Sequence, residues 1–390
     1  MSDNYLPSEI VLEILHRLPV KSLVKFTSVC KAWNSLITDQ TFIFDHLDQT
    51  IQASNGNGSL FLQLYRRTRE AGNQCFDYEE FYSLYSHNQQ IDHFSVERFP
   101  LSRLFQLYDY STVVGTCDGL VCIADYSILD LATILIWNPS IRKYMVLPEP
   151  ILTYSTGNRQ HERYQLFFGF GFDAKNKDYK VIRFVTLGDK ESVPQVEVFS
   201  LASRSWRSIP FRASPFLLSQ YLRNIPQVFV NGVVHWVVCR RSDDHILNFI
   251  LSFDVVEETF GELTLPQHLR ESTSVLSILQ GGDSLCLLHT YCEEDKYFYS
   301  IWVMKEYGVA GSWNEVFRCD LKLYGGISTV LALCADGKVV LVLKGRDVVL
   351  LDPVTQLVKP LTDLKCFNAF AGSYVKSLVF INGEPDVMSY

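Results

Sequence analysis

The chain has 390 residues, of which 47% are hydrophobic and 20% are charged, with 26 Phe, 20 Tyr and 6 Trp. This composition supplies a packed core and excludes a disordered protein, and the length suggests more than one structural unit. The formal net charge is −8, and because no basic stripe offsets it, nucleic acid is not an expected partner.

No segment of the sequence has the pattern of a targeting signal or a membrane anchor. The N-terminus lacks the basic and apolar regions of a signal peptide, and the longest apolar runs fall far short of the roughly 18 residues of a spanning helix. Ten cysteines are scattered singly, which is typical of buried residues in a reducing compartment. We therefore expect a soluble protein of the cytoplasm, the nucleus or both, with no membrane partner.

Three short helices are predicted in the first 40 residues. Ile10, Ile14 and Leu18 recur with the spacing of one helix face, and a proline follows them. Further apolar groups stand at residues 23–29 and 33–37. Such a small unit carries more apolar side chains than it can bury by itself, so we expect it to contact a partner.

This segment resembles the F-box of the large plant family of F-box proteins that carry an F-box-associated domain. The string LPSEIVLEILHRLPVKSLVKFTSVCKAWNSLI, residues 6–37, holds the apolar and proline positions of that family in order. F-boxes dock on the Skp-type adaptor of a cullin–RING ubiquitin ligase, with helices laid into a groove. The resemblance therefore implies a set of adaptor-binding residues: Leu6, Pro7, Ile10, Ile14, Leu15, Leu18, Pro19, Leu23, Phe26, Val29, Cys30 and Trp33.

Two other interpretations of the helical unit stay open. One is a helical cap that packs on the chain's own β domain. The other is a DNA-reading helix-turn-helix, which the charges disfavour because residues 1–50 carry four basic and six acidic side chains.

A linker is predicted between the helical unit and the rest of the chain. Gly, Asn and Ser are enriched towards the end of residues 49–59, as is typical of loops. We therefore place one domain at residues 1–48 and a second at residues 60–390.

The second domain repeats six times as pairs of predicted β-hairpins. A bulky residue ends the third strand of each repeat, at Tyr85, Trp137, Phe199, Phe253, Trp302 and Leu351. Seven residues further on, four repeats carry another large apolar residue: Tyr144, Trp206, Phe260 and Val358. Four antiparallel strands in each repeat of roughly 50 residues predict a six-bladed β-propeller. The expected fold class is thus α plus all-β.

The ring is expected to close through the C-terminal strand. We predict that residues 374–381 become the inner strand of the first blade, because closure removes an exposed sheet edge. A seven-bladed ring and an irregular sandwich stay open. The stretches GTCDGLVCI, IWNPSIRKY and EVFSLASRSWR are similar to the F-box-associated domain of the same plant family, and this resemblance spans most of residues 110–385.

The two faces of the predicted ring differ in their loops. In an antiparallel blade the first and third turns open on one face, here named the short-turn face. The second turns and the links between blades open on the other, here named the long-loop face. The links at residues 101–111, 149–163 and 211–226 are long, and so are the second turns at residues 66–73, 186–194, 240–245 and 291–296.

We expect the long-loop face to bind a target protein, because recognition residues concentrate on loops held by a rigid scaffold. The helical unit is predicted to join at the opposite, short-turn face. Tyr, His and Arg are side chains that anchor interfaces, and the candidate target-binding residues are Tyr108, Tyr110, Tyr154, His161, Tyr221, Arg223 and Tyr291.

The sequence shows no catalytic motif. Cys286, His289 and Cys292 have a metal-like spacing, but strand geometry places His289 on the opposite side from the two cysteines, so they cannot share one ion. Phosphate-binding and nucleophile-elbow motifs are missing, and no Cys has an evidently electropositive setting. We predict a non-catalytic chain with no metal and no cofactor.

The predicted function is substrate recognition in an SCF-type ubiquitin ligase. The F-box would bind the Skp-type adaptor, and through it the cullin and RING subunits, while the propeller would bind an unidentified target protein. The first rival is an adaptor-bound interaction protein that passes on no ubiquitin. The less favoured rival is a propeller hydrolase.

Overall fold

The computed structural model of the chain describes residues 7–54, 59–68, 77–85, 91–92, 111–124, 133–152, 164–187, 193–213, 216, 227–242, 245–281, 284–294, 296–320, 322, 325–366, 368–380 and 386–387. Within these ranges the N-terminal part is helical and most of the rest forms antiparallel strands.

The helical unit contains α1 (Ser8–His16), α2 (Val20–Phe26), α3 (Lys31–Ile37) and α4 (Gln40–Ser54). Pro7 and Pro19 stand immediately before α1 and α2, where a missing N–H costs nothing because a first turn leaves such groups unbonded. The last turns of α4 are residues 49–54, which the sequence analysis places in the linker. These residues precede the Gly- and Asn-rich stretch and have ordinary helix propensity, so the helix continues through them.

The strands that the structure describes form six antiparallel sheets, the blades of a six-bladed β-propeller. Blade 1 contains β24 (Asn368–Tyr374), β1 (Ser59–Thr68), β2 (Asp77–Tyr85) and β3 (Ile91–Asp92). Blade 2 contains β4 (Thr112–Cys117), β5 (Leu120–Ala124), β6 (Ile134–Asn138), β7 (Lys143–Val146) and β25 (Asp386–Val387). Blade 3 contains β8 (Tyr164–Asp173), β9 (Asp178–Leu187), β10 (Gln195–Ser200) and β11 (Ser205–Ile209).

Blade 4 contains β12 (Val228–Val230), β13 (Val233–Ser242), β14 (His245–Asp254) and β15 (Thr259–Leu263). A short helix, α5 (Gln267–Arg270), links it to blade 5, which contains β16 (Val275–Gly281), β17 (Ser284–Glu293), β18 (Lys296–Met304) and β19 (Trp313–Asp320). Blade 6 contains β20 (Ile327–Leu333), β21 (Val339–Leu343), β22 (Val348–Leu351) and β23 (Val358–Pro360). The inner strands β24, β4, β8, β12, β16 and β20 lie next to one another around the ring axis.

The ring is closed by β24, which pairs with β1 from Ser59↔Tyr374 to Tyr65↔Asn368. Closure by a C-terminal strand is therefore confirmed, but the prediction that residues 374–381 form this strand is wrong. The apolar residues after Tyr374 leave the sheet and pack over blade 2, where Leu378 and Val379 are buried. Their apolar character reflects this burial, and the true closing strand has a weaker β pattern.

Cross-strand pairing explains the seven-residue spacing seen in the sequence. The two large residues face each other across the third turn in four blades, as Trp137↔Tyr144, Phe199↔Trp206, Phe253↔Phe260 and Leu351↔Val358. Such pairs of large side chains on neighbouring strands stabilise a sheet. In blade 5 a register shift after Ile301 places Trp302 opposite Glu315 instead.

The helical unit is seated on the propeller through α4. The Phe44 ring stacks on Phe172, with 5.6 Å between ring centroids, and the Lys177 ammonium lies 5.0 Å from the centre of the Phe44 ring. Phe172 and Lys177 flank the β8–β9 turn, which is a first turn of a blade. The contact is therefore on the short-turn face, where the sequence predicted the helical unit to join.

Candidate binding surfaces

The helical unit fills its own core with one set of apolar residues. The buried set comes from all four helices and consists of Leu15, Val20, Leu23, Ile37, Phe42, Ile43 and Leu47. Leu15 and Leu23, which the sequence analysis assigns to adaptor binding, have no exposed surface. In this structure they pack in the core beneath the exposed residues. Their contact with an adaptor stays a prediction.

Other predicted adaptor-binding residues lie on the surface of the unit. Ile10, Ile14 and Val29 are 47%, 46% and 59% exposed, and Pro7, Pro19 and Cys30 are exposed as well. Ile10 and Ile14 stand one turn apart on the same side of α1. Ile10 and Ile14 therefore form a small exposed apolar patch on α1.

Three more of the predicted residues, Leu18, Phe26 and Trp33, are half-buried. The Phe26 and Trp33 rings are in contact, with centroids 5.3 Å apart, and the Cys30 Sγ accepts a hydrogen bond from the Trp33 backbone N–H at 3.4 Å. That bond caps the first turn of α3, on which Trp33 stands. Leu6 lies outside the described residues.

The described part of the long-loop face carries an aromatic cluster on blade 5. Tyr291 on β17 stacks on His289 and on Phe298, with ring centroids 4.7 Å and 5.7 Å away. The Arg318 guanidinium lies 5.3 Å from the Tyr291 ring centre and 5.1 Å from that of Phe298. Arg318 also donates to the Glu293 carboxylate at 2.6 Å.

The polar neighbours of this cluster keep it in place. His289 is buried and its Nε2 lies 3.0 Å from the Ser272 hydroxyl, which belongs to the link between blades 4 and 5. Burial lowers the pKa of His289 to about 4, with a smaller contribution from His268, so the ring is neutral at physiological pH. Burial also raises the pKa of Tyr291, against the opposing effect of Arg318.

Blade 4 carries a related arrangement at the same end of its outer strands. The Arg240 guanidinium lies 4.1 Å from the centre of the Phe249 ring and donates to Glu262 at 2.6 Å. Ile246 and Tyr297, which stand near the tips of the β13–β14 and β17–β18 hairpins, are 41% and 58% exposed. Neighbouring blades thus present Arg-on-aromatic pairs beside exposed apolar side chains, a combination typical of binding surfaces.

A buried ion pair anchors the link that follows blade 2. Arg183 and Glu197 form a salt bridge with side chains 2% and 0% exposed. Glu197 accepts hydrogen bonds from the backbone N–H groups of Ile151 and Leu152, both at 3.1 Å, and Arg183 donates to the Leu152 carbonyl at 2.9 Å. The start of this link is therefore fixed to blade 3.

The sequence predicted Tyr291 and missed its partners. The sequence analysis predicted long second turns at residues 240–245 and 291–296, and this is wrong: β13 ends at Ser242 and β14 begins at His245, while β17 ends at Glu293 and β18 begins at Lys296. The tight β17–β18 turn places Phe298 directly opposite Tyr291. Arg318 could not be predicted, because the register shift in blade 5 decides which residue of β19 reaches the cluster. Tyr108, Tyr110, Tyr154, His161, Tyr221 and Arg223 lie outside the described residues.

Within the described ranges, no group of three or more His, Cys, Asp or Glu side chains is arranged to hold a metal ion. Cys286 is buried, which raises its pKa to about 12, and His289 is bonded to Ser272. No helix in the same ranges is long and apolar enough to cross a membrane.

The chain matches two protein families. Residues 4–45 match the F-box domain, and residues 76–381 match the F-box associated beta propeller domain. A helical docking unit seated on a six-bladed propeller defines a two-part binding protein. The chain belongs to the plant family of F-box proteins with an F-box associated β-propeller domain, and an F-box in general implies binding to a Skp-type adaptor.

Similar proteins cover most of the chain. It is 28% identical to "F-box protein CPR1" of Arabidopsis thaliana over 404 residues, covering 98% of this chain and 90% of that protein. It is 30% identical to "F-box protein At4g22390" of Arabidopsis thaliana over 326 residues, covering 80% and 73%. Among solved structures it is similar to TolB from Acinetobacter baumannii, at 14% identity and a TM-score of 0.36, over 78% of this chain and 70% of TolB. So distant a likeness supports no conclusion about this chain.

Proposed function

We propose that this chain is the substrate-recognition subunit of an SCF-type cullin–RING ubiquitin ligase. The proposal is carried by the exposed aliphatic side chains of Ile10, Ile14 and Val29, on a helical unit whose core is already filled by other residues. Burying those side chains against another protein would lower the free energy of the system. The family and the position of the surface favour a Skp-type adaptor as that protein.

The helical unit and the long-loop face have separate proposed roles. α4 fixes the helical unit to the short-turn face, and the aromatic clusters of blades 4 and 5 stand at the opposite, long-loop face. A target protein bound there would be held near a ubiquitin-conjugating enzyme that the RING subunit recruits through the cullin. The rate gain would then come from proximity, not from a side chain of this chain.

A receptor without catalysis of its own is consistent with the chemistry of two buried cysteines. Burial raises the pKa values of Cys286 and Cys334 to about 12, so neither is a thiolate that could carry ubiquitin. The proposed role requires no cofactor and places the protein in the cytoplasm, the nucleus or both, where cullin–RING ligases assemble.

Co-purification with a Skp-type adaptor tests the first half of the proposal. The full chain should form a stable pair, and Ile14→Asp should weaken the pair at least tenfold, because it places a charge in an apolar interface. The matched control is Ile51→Asp on α4, since Ile51 is 43% exposed and Ile14 is 46% exposed. Equal affinity of the Ile14→Asp and Ile51→Asp variants would remove α1 from the interface.

A reconstituted ligase assay tests the second half. Ubiquitin transfer to a protein captured on the long-loop face is the expected result. Stable adaptor and target binding without transfer would instead support a non-degradative interaction protein. Turnover of a small substrate by the chain alone would support a hydrolase.

A further inference from the structure

The propeller encloses a cavity on the ring axis. Its volume is about 280 Å³, near the lower limit of pockets that bind small molecules. Among the residues that the structure describes, the inner strands β4, β12, β16, β20 and β24 line it. Because these strands begin at the long-loop face, the first residues of each strand stand at the end of the cavity nearest that face.

Along four of the lining strands the residues change from polar to apolar, while β4 contributes Thr112, Val114 and Thr116. Near the long-loop face the side chains are uncharged and polar, and this polar ring consists of Gln227, Ser277, Thr329 and Asn368. Two residues further along the same strands the side chains are large and apolar, and this apolar floor consists of Phe229, Leu279, Leu331 and Phe370. A ligand that fits both would have an apolar end and a hydrogen-bonding end.

Gln227 gives an independent sign of a missing partner. It is only 7% exposed, and its Oε1 makes no hydrogen bond within the described part of the chain. An amide oxygen buried in this way costs free energy until a donor reaches it. The side chain is held against the backbone of Gly115, where an added Cβ would lie 1.8 Å from Gln227 Nε2.

The described lining of the cavity favours an uncharged ligand. The described residues that line the cavity include no Asp, Glu, Lys or Arg. The nearby carboxylate of Glu80 is already bonded by neighbours, accepting from Tyr65 at 2.7 Å and Ser111 at 2.8 Å, and also from Gln63 and Tyr82. A charged group in the cavity would therefore lose its hydration without gaining an ion pair.

We propose that this cavity receives one large apolar side chain, of the type of Leu, Met or Phe, from the tip of a loop of the target protein. The side chain packs on the apolar floor, and the backbone N–H groups of the loop donate to Gln227 and the rest of the polar ring. A protein loop is favoured over a free metabolite because the polar ring stands at the end of the cavity nearest the long-loop face, which is the proposed target-binding face. This inference rests on the proposed function, since it specifies what the target presents.

Capped amino-acid amides test the site, because each carries one side chain between two peptide groups. The full chain, paired with its adaptor and labelled at Leu and Val methyl groups, is titrated with N-acetyl-L-phenylalanine amide and N-acetyl-L-leucine amide. Saturable shifts at the Leu279 and Leu331 methyl signals are expected. The aspartate and lysine amides should bind at least tenfold more weakly.

Two variants keep the test falsifiable. Leu331→Trp should fill the cavity and abolish the shifts, while Leu357→Trp, at a position 69% exposed, is its matched control. Gln227→Leu should raise the Tm, since it removes an unbonded buried oxygen. It should also lower the affinity for N-acetyl-L-phenylalanine amide several-fold. A Tm that falls with unchanged probe affinity would make Gln227 a structural residue and overturn the proposal.

The remaining outcomes are equally decisive. Equal binding of charged and apolar amides, no saturable shift, or binding retained in the Leu331→Trp variant would each show that the cavity is no side-chain receptor. None of these readouts measures adaptor binding or ubiquitin transfer. Failure of the cavity proposal is therefore separable from failure of the proposed function.

Discussion

The backbone of Gly119 lies directly against the carbonyl oxygen of Val375. A Cβ added to Gly119 would stand 2.4 Å from that oxygen, so no other residue type fits without movement. Gly119 belongs to the β4–β5 turn on the short-turn face, and Val375 begins the segment that leaves the closing strand. The Asn138 side chain holds the same segment by donating to the Ser377 and Val379 carbonyls at 3.1 Å and 2.7 Å. Ring closure thus depends on blade 2 as well as on the β1–β24 pairing.

Gly119→Ala should destabilise the propeller more than Gly232→Ala. Both residues have positive φ, +78° and +77°, but an added Cβ at Gly232 meets nothing within 4 Å. The left-handed backbone alone costs about 1–2 kcal/mol, and Gly119→Ala adds the clash with Val375, for a total of about 3 kcal/mol or more. Urea unfolding of both variants measures the difference. Equal losses would show that the segment after β24 does not press on the turn.

Glu197→Gln should cost about 3–5 kcal/mol, because it leaves the buried Arg183 guanidinium without its counter-ion. The matched control is Glu293→Gln in the exposed pair with Arg318, whose side chains are 57% and 47% exposed. Exposed pairs contribute only about 0–1 kcal/mol. Chemical unfolding at neutral pH separates the two cases, and similar losses for both variants would contradict the burial of the Arg183–Glu197 pair.

Acid should destabilise the propeller through two buried histidines. Burial lowers the pKa values of His235 and His289 from 6.5 to about 4. Between these values the unfolded chain binds more protons, so the stability is present above about pH 6.5 and is lost as the pH falls towards 4. Each histidine contributes a slope of up to about 1.4 kcal/mol per pH unit in this window.

Unfolding experiments at several pH values check this slope. His289→Gln keeps a polar group near Ser272 and removes the titration, so its free energy of unfolding should fall less steeply than that of the parent chain. Comparing the variant with the parent cancels the contribution of the carboxylates. Parallel curves between pH 6.5 and 4 would show that His289 does not hold a depressed pKa.

Much of the propeller could be predicted from the sequence because cross-strand pairing produces a regular spacing of large residues. The seven-residue spacing of Trp137 and Tyr144 is the signature of a directly facing pair, and Asn231 and Gly232 have the positive φ values that their turn requires. The closing strand was misplaced because Asn368–Tyr374 contains Gly and Ala, whereas the apolar run after it is stronger. Only tertiary packing shows which of the two pairs with β1.

The binding surfaces were harder to predict from the sequence, because side-chain exposure and strand register depend on tertiary packing. Helical periodicity identifies the apolar side of α1, but it does not say that Ile14 is exposed while its neighbour Leu15 is fully buried. That division depends on where α4 packs. On the propeller, Arg318 reaches Tyr291 only because of a register shift, which strand periodicity cannot reveal.

The contact between Phe44 and Phe172 should couple the helical unit to the propeller. Phe44→Ala, Phe172→Ala and the double variant form a thermodynamic cycle, and a stacked pair of this kind is expected to contribute a coupling free energy of about 0.5–1.5 kcal/mol. Because neither residue is among the predicted adaptor-binding residues, adaptor affinity should change less than twofold. Hydrogen exchange in α4 should rise in both single variants by similar factors. Additive losses in the cycle, or exchange that rises only for Phe44→Ala, would mean that the helical unit is held on the short-turn face by other contacts.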